Sequence, residues 1–315
     1  MRILVVGAGA VGGYFGGKLL EADRDVTFLV RPARAAALSE TGLNIKSPLG
    51  DVALGAPPMV QAQDLSKDLK EPFDLVLLSC KAYDLASAID SFADAVGPKT
   101  AILPLLNGMR HLSVLQARFG AGAVLGGQCV ISSTLDEVGT VLHLNTKNHV
   151  TFGELDGSAS ERVAAITAAF EGCGFAARAS SKILLEMWEK WVVLASLAGS
   201  TCLMRASIGE INAAHGGKEF ALGLVEECRR IAAAAGYEPR LQALEATRGL
   251  MTEAGSPLTA SMFRDIENGS RIEADHIIGD LLARAGAAGL ESPLLRVICT
   301  HLKAYENRRG FSEVK

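Results

Sequence analysis

Apolar residues run through this chain in two rhythms, and the change between them comes near Ser180. Before that point they dominate short segments, at residues 2–6, 25–30, 72–80 and 100–106. Runs of that length without alternation suit a strand buried on both faces. Helical spacing fills the intervals at residues 13–20, 33–40 and 85–96, and strand alternating with helix predicts a parallel α/β sheet. Residues 43–46 and 51–54 flank Ser47-Pro48-Leu49-Gly50 and read as a hairpin inserted into that alternation. Residues 124–133, 139–145 and 149–155 read as three more strands with short connections, expected to extend the sheet and make it mixed. A helix over 159–173 and a strand over 175–179 complete this half. From Lys182 onward the period is helical almost throughout, beginning with a long helix over 182–204, with Gly and Pro marking the breaks. Two domains are expected, residues 1–180 and 181–315.

The first strand-to-helix turn carries chemistry. Gly7-Ala8-Gly9-Ala10-Val11-Gly12 follows the first apolar run without a gap, and a second strand comes after the helix. This is G-x-G-x-x-G within a βαβ unit. Gly7 makes the tight turn, Gly9 admits a pyrophosphate to the backbone, and Gly12 lets helix and strand pack closely. The helix N-terminus adds free N–H groups and a partial positive charge. The motif alone is weak, but in this context it predicts dinucleotide binding over a plain glycine-rich turn. The fold class is therefore α/β: an N-terminal Rossmann dinucleotide-binding domain followed by an all-helical domain. The second strand ends Leu29-Val30-Arg31-Pro32, with Arg34 beyond and no acidic residue to hold a ribose 2′-hydroxyl. A guanidinium matches a 2′-phosphate, so NADP(H) is favoured over NAD(H). The plainer alternative makes Arg31 and Arg34 solvated loop charges.

Composition narrows the class. With 315 residues, 49% of them hydrophobic and 21% charged, the chain can build two cores and is not disordered. A net charge of −4 offers no nucleic-acid surface, and no apolar run reaches membrane-spanning length. The chain opens directly on a strand with no signal-peptide pattern, so a cytoplasmic protein is expected. Cys80, Cys129, Cys173, Cys202, Cys228 and Cys299 form no C-x-x-C pair, which predicts neither a zinc site nor a disulfide framework.

Ligands of open α/β sheets bind beyond the carboxyl ends of the strands. Lys81 and Asn107 stand at two such ends and are candidates to face cofactor or substrate. Their bland alternatives are a solvated lysine and an Asn-Gly turn. In the helical half, Lys190 lies mid-helix between Trp188 and Trp191, where it could instead extend its head to water. Glu273 falls in the first turn of a helix expected to begin at Arg271, a position that the helix dipole often fills with an acid.

Taken in order, these residues resemble the ketopantoate reductase family over nearly the whole chain. The resemblance rests on residues 7–12, Arg31, Ser79-Cys80-Lys81 and Leu106-Asn107-Gly108. In the second half it rests on Trp188-Glu189-Lys190-Trp191, on Ser261-Met262-Phe263-Arg264-Asp265, and on Arg271-Ile272-Glu273-Ala274-Asp275 followed by Gly279 and Pro293. It implies NADPH-dependent reduction of a 2-keto acid to a 2-hydroxy acid, as in pantothenate biosynthesis, without a metal. It also implies roles: Lys190 as general acid, Glu273 assisting it and anchoring substrate, Ser261 holding the carboxylate, and Lys81 and Asn107 near nicotinamide and substrate. Hydride addition develops negative charge on the carbonyl oxygen, which an ammonium stabilises and then protonates. The candidates come from both halves, so the site is expected in a cleft between the domains. A homodimer is one assembly open to such an enzyme.

The chain departs from the family at the substrate. Members that reduce ketopantoate usually carry asparagines one and two turns after the lysine, and another shortly before the serine. Here those places hold Leu194, Ala198 and Leu258. Three polar contacts become apolar, which predicts a less polar 2-keto acid lining up against Leu194, Ala198 and Leu258. Two other readings stay open: an NADP(H)-binding sensor or interaction protein without turnover, and an unrelated two-domain dehydrogenase, which fits only the first half.

Overall fold

A computed structural model of the chain describes residues 1–68 and 72–313. They gather into two compact units. One consists of Met1–Leu106 with His111–Ile183, the other of Asn107–Arg110 with the chain from Leu184 onward.

The first unit opens β1 (Ile3–Val6), α1 (Ala10–Glu21), β2 (Val26–Leu29), α2 (Pro32–Thr41). A hairpin of β3 (Leu43–Lys46) and β4 (Val52–Leu54) follows, with Leu43 opposite Leu54 and Ile45 opposite Val52. The chain then forms β5 (Met59–Val60), α3 (Ala62–Asp68), β6 (Leu75–Leu78), α4 (Leu85–Phe92), β7 (Ala101–Pro104) and α5 (Arg110–Phe119). A five-stranded parallel sheet runs β5-β2-β1-β6-β7. Every residue of β1, β6 and β7 is buried, which is why their sequences are apolar without alternation. Val6 pairs with Leu29 on one side and Leu78 on the other. The Gly7 turn, Arg31 and the Ser79–Lys81 segment therefore all leave the same edge of the sheet.

The sequence reading expected the later strands to extend this sheet, and they do not. β8 (Gly126–Leu135), β9 (Val141–Gly153) and, after α6 (Glu161–Phe170), β10 (Ala176–Ala179) join the β3–β4 hairpin in a second, mixed sheet. The two segments expected at 139–145 and 149–155 are one continuous strand, β9. The cause lies in α1, which both sheets enclose. A Cβ on Gly16 would stand 2.6 Å from Phe28, on Gly17 2.7 Å from Ile45, and on Gly13 2.9 Å from Val141. The glycines thus bring backbone against side chains on opposite sides of one helix. The apolar residues of the later strands cover α1 instead of pairing with the edge of the parallel sheet.

The second unit is helical: α7 (Ile183–Met204), α8 (Ile208–Ala213), α9 (Gly217–Ala234), α10 (Leu241–Met251) and α11 (Ser261–Glu267). A π-helical turn, Asp275–Gly279, then runs into α12 (Asp280–Ala287), and α13 (Pro293–Glu313) follows. Buried polar groups fix the packing. Glu227 on α9 accepts N–H bonds of 3.0 Å from Leu294 and Leu295, the orphan donors at the start of α13. Trp191 on α7 donates its indole N–H to the Ile277 carbonyl of the π turn at 2.9 Å. Arg284 on α12 lies 5.4 Å from the ring of Trp188. No helix among the described residues is long and apolar enough to cross a membrane.

Candidate active site

The glycine turn has the form its sequence demands. Gly7 sits at φ +94°, a conformation that side chains disfavour. A Cβ on Gly12 would lie 2.1 Å from the Gly7 carbonyl oxygen and 2.2 Å from Ser79 Oγ, so only glycine fits. A Cβ on Gly9 would meet nothing within 4 Å. Gly9 is also the N-cap of α1, and no side chain caps that terminus. Open space before uncapped N–H groups fits the pyrophosphate of a dinucleotide. Ala8, Ala10 and Val11 complete the cradle with short apolar side chains. Ser79 holds it from behind, its hydroxyl at 3.0 Å from the Val6 carbonyl and 3.3 Å from that of Gly7. A serine at the end of the strand beside β1 is the sequence signal for this brace.

The two arginines near β2 separate. Arg34 turns inward, its Nε donating to the Ala8 carbonyl at 2.9 Å. Burial pushes its guanidinium pKa down, and Asp136 opposes the shift. Arg31 points outward with its side chain 68% exposed, 3.2 Å from Asp84. Lys81 is exposed on the loop after β6, where its carbonyl accepts from Asp84 N–H at 2.9 Å.

Asn107 belongs with the helical unit, where Lys190 Nζ on α7 donates to its Oδ1 at 3.3 Å. Gly108, at φ +76°, is pressed against the π turn: a Cβ there would lie 2.6 Å from the His276 carbonyl oxygen. The Asn-Gly turn is thus real, and it also carries the amide that meets Lys190. The Trp191–Ile277 bond ties the next residue of α7 to the same π turn. Glu273 lies two residues before this element, with Ala274 as its N-cap. The expectation that it lies inside a first helical turn is corrected: residues 271–273 are not helical, and the Glu273 carbonyl accepts from Ile277 N–H at 3.0 Å. Glu273 is only 7% exposed, unlike a solvated dipole partner. Beside it, burial lowers the pKa of His276, with Glu273 opposing the shift. π turns recur at functional sites because the inserted residue redirects backbone and side chains.

α7 presents Lys190, Val193, Leu194 and Leu197 as half-buried neighbours. Ala198 does not join them, being 1% exposed. The four-residue spacing misleads over two steps, because eight residues turn the helix about 80° past two full turns, whereas seven fall about 20° short. Leu197, not Ala198, continues the Lys190 stripe. Leu258 and Leu197 both pack against the core of Ile208, Ile211 and Met251. Thr201, on the same stripe about three turns beyond Lys190, accepts from Ala260 N–H at 3.3 Å. That contact places the start of α11, with exposed Ser261, beside the far end of the stripe. The base of Lys190 is anchored too. Buried Glu189 receives Arg240 through N–H and Nε, both at 2.8 Å, and Nη2 at 2.5 Å. Burial would raise the Glu189 pKa, but the Arg240 bonds prevail and lower it.

Residues 3–157 match the family described as ketopantoate reductase PanE/ApbA, and residues 182–306 match its C-terminal partner. The chain belongs to the ketopantoate reductase family. It is an oxidoreductase of that family and shares its nicotinamide dinucleotide chemistry. A Bacillus subtilis relative named as the uncharacterized oxidoreductase YkpB is 37% identical, covering 97% of this chain and 99% of its own. The crystal structure of 2-dehydropantoate 2-reductase from Geobacter metallireducens superposes with a TM-score of 0.86 at 27% identity, covering 96% and 99% of the two chains. A ternary structure of D-mandelate dehydrogenase with NADH and anilino(oxo)acetate shares the fold, at a TM-score of 0.87 and 21% identity over 98% and 99%. Members of this ketopantoate reductase fold thus include proteins named for different substrates.

Proposed function

We propose that this member of the ketopantoate reductase family is an NADPH-dependent reductase of a 2-keto acid less polar than ketopantoate. The observation that carries the reading is the contact of Lys190 with Asn107 at the head of a stripe whose other half-buried members are Val193, Leu194 and Leu197. Residues 7–12 and Arg31 would hold the dinucleotide, which supplies the hydride when bound. Lys190 stabilises the charge developing on the substrate carbonyl oxygen and gives it the proton. Asn107 orients the Lys190 ammonium, and buried Glu273 assists it and anchors substrate. Ser261 and Lys81 complete the polar contacts.

The stripe sets the substrate side chain. A hydroxyl buried against leucine loses its partner, costing about 1–3 kcal/mol, whereas a branched or aromatic side chain gains about 25 cal/mol per Å² buried. The test is NADPH oxidation over a panel of 2-keto acids, comparing kcat/KM for ketopantoate with that for hydroxyl-free branched and aromatic analogues. The analogues are expected to be better substrates. Ketopantoate leading the panel by about tenfold would overturn the substrate class, and no turnover with any member would favour a cofactor-binding protein without catalysis.

A further inference from the structure

Arg31 and Asp84 reach one another from two different strand ends. Arg31 follows β2 and Asp84 lies in the loop after β6; β2 and β6 are the two neighbours of β1. Arg31 Nη2 stands 3.2 Å from Asp84 Oδ1 and 3.4 Å from Ser87 Oγ. The arginine side chain is 68% exposed and the aspartate 25%, so the anion is the better fixed of the two. The Ser87 hydroxyl itself donates to the Asp84 carbonyl at 3.0 Å. A cation and an anion thus share the place beside the glycine turn where a bound dinucleotide puts its adenosine ribose.

We propose that Asp84 is a specificity-determining residue for the cofactor, holding the preference for NADPH over NADH below what Arg31 alone would confer. The inference rests on reading the Gly7 turn as a dinucleotide site. A 2′-phosphate carries between one and two negative charges at neutral pH. It draws Arg31 but meets the Asp84 carboxylate on the same guanidinium, and must share or displace that partner. A ribose 2′-hydroxyl has the opposite relation: it can donate to a carboxylate, as it does where an acid ends the second strand. Asp84 therefore acts with opposite sign on the two cofactors. Were it only a prop for Arg31, removing its charge would weaken NADPH binding instead.

The sign is read by titrating NADPH and NADH into the full chain as wild type, Asp84→Asn and Ser87→Ala. Asn keeps the side-chain volume, and Ser87→Ala removes the neutral contact to Arg31 while leaving the charges. In Asp84→Asn the ratio of NADH to NADPH dissociation constants is expected to rise about tenfold, with the rise shrinking at high salt. In Ser87→Ala it should stay within about twofold. An unchanged or lower ratio in Asp84→Asn overturns the proposal, as does an equal change in Ser87→Ala. Binding of neither cofactor by the wild type would instead refute the dinucleotide site itself, an outcome told apart by its loss of both titrations.

Discussion

Lys190 takes its meaning from a side chain 83 residues away. Its place between two tryptophans was legible in the sequence, but a lysine there could equally reach water; only its contact with Asn107 shows where the ammonium is held. Lys190→Ala is expected to lower kcat by about 10²–10⁴, the usual worth of general acid–base catalysis. NADPH affinity should hold, since the residues proposed to bind it lie in the other unit. Single-turnover kinetics with a parallel cofactor titration checks both halves, and undiminished turnover would return Lys190 to an ordinary surface role. Glu273 was harder to read. A helix-dipole acid and a buried carboxylate before a π turn look alike in a string of letters, and the π turn has no sequence signature that hydrophobic period reveals.

At the scale of elements, the βαβ start was almost fully legible, because Gly7 and Gly12 answer local backbone and steric demands while Gly9 leaves open space before the helix. Gly12→Ala should destabilise the protein by about 1–3 kcal/mol, as overpacking does, and should weaken dinucleotide binding. Urea denaturation and cofactor titration measure the two effects, and a stable variant with normal binding would show that the turn can open. What the period could not give was the second sheet, since β9 pairs with a hairpin nearly a hundred residues earlier and strand pairing partners are a non-local choice. On α7 the helix was legible but its face was shifted by the accumulated turn. The stripe predicts that Leu197→Asn will raise kcat/KM for ketopantoate relative to an aliphatic 2-keto acid by about tenfold, while Ala198→Asn will chiefly cost stability. Similar shifts in specificity from both variants would contradict the corrected face.

The whole molecule should lose stability to acid in two steps. Burial holds the His276 pKa below its ordinary 6.5, so below about pH 6.5 the unfolded chain binds more protons at this residue and folding weakens. Hydrogen bonds from Arg162 hold Glu154 below its ordinary 4.5 against the opposing effect of burial. That stabilisation is present above about pH 4.5 and is lost as pH falls further. Melting temperatures at pH 7.5, 5.5 and 4 should therefore fall in both intervals, and His276→Met should flatten the first alone. An equal fall in that variant would place the origin elsewhere. The short segment Asn107–Arg110, which sides with the helices although the chain on both flanks belongs to the first unit, has a genetic consequence. A single crossover near residue 183 between two related genes would take Lys190 from one parent and Asn107 from the other. Recombination at the apparent seam thus splits the Lys190–Asn107 contact it seems to spare, and, if the proposed roles hold, a working hybrid must either exchange residues 107–110 as well or come from parents already matched at that corner.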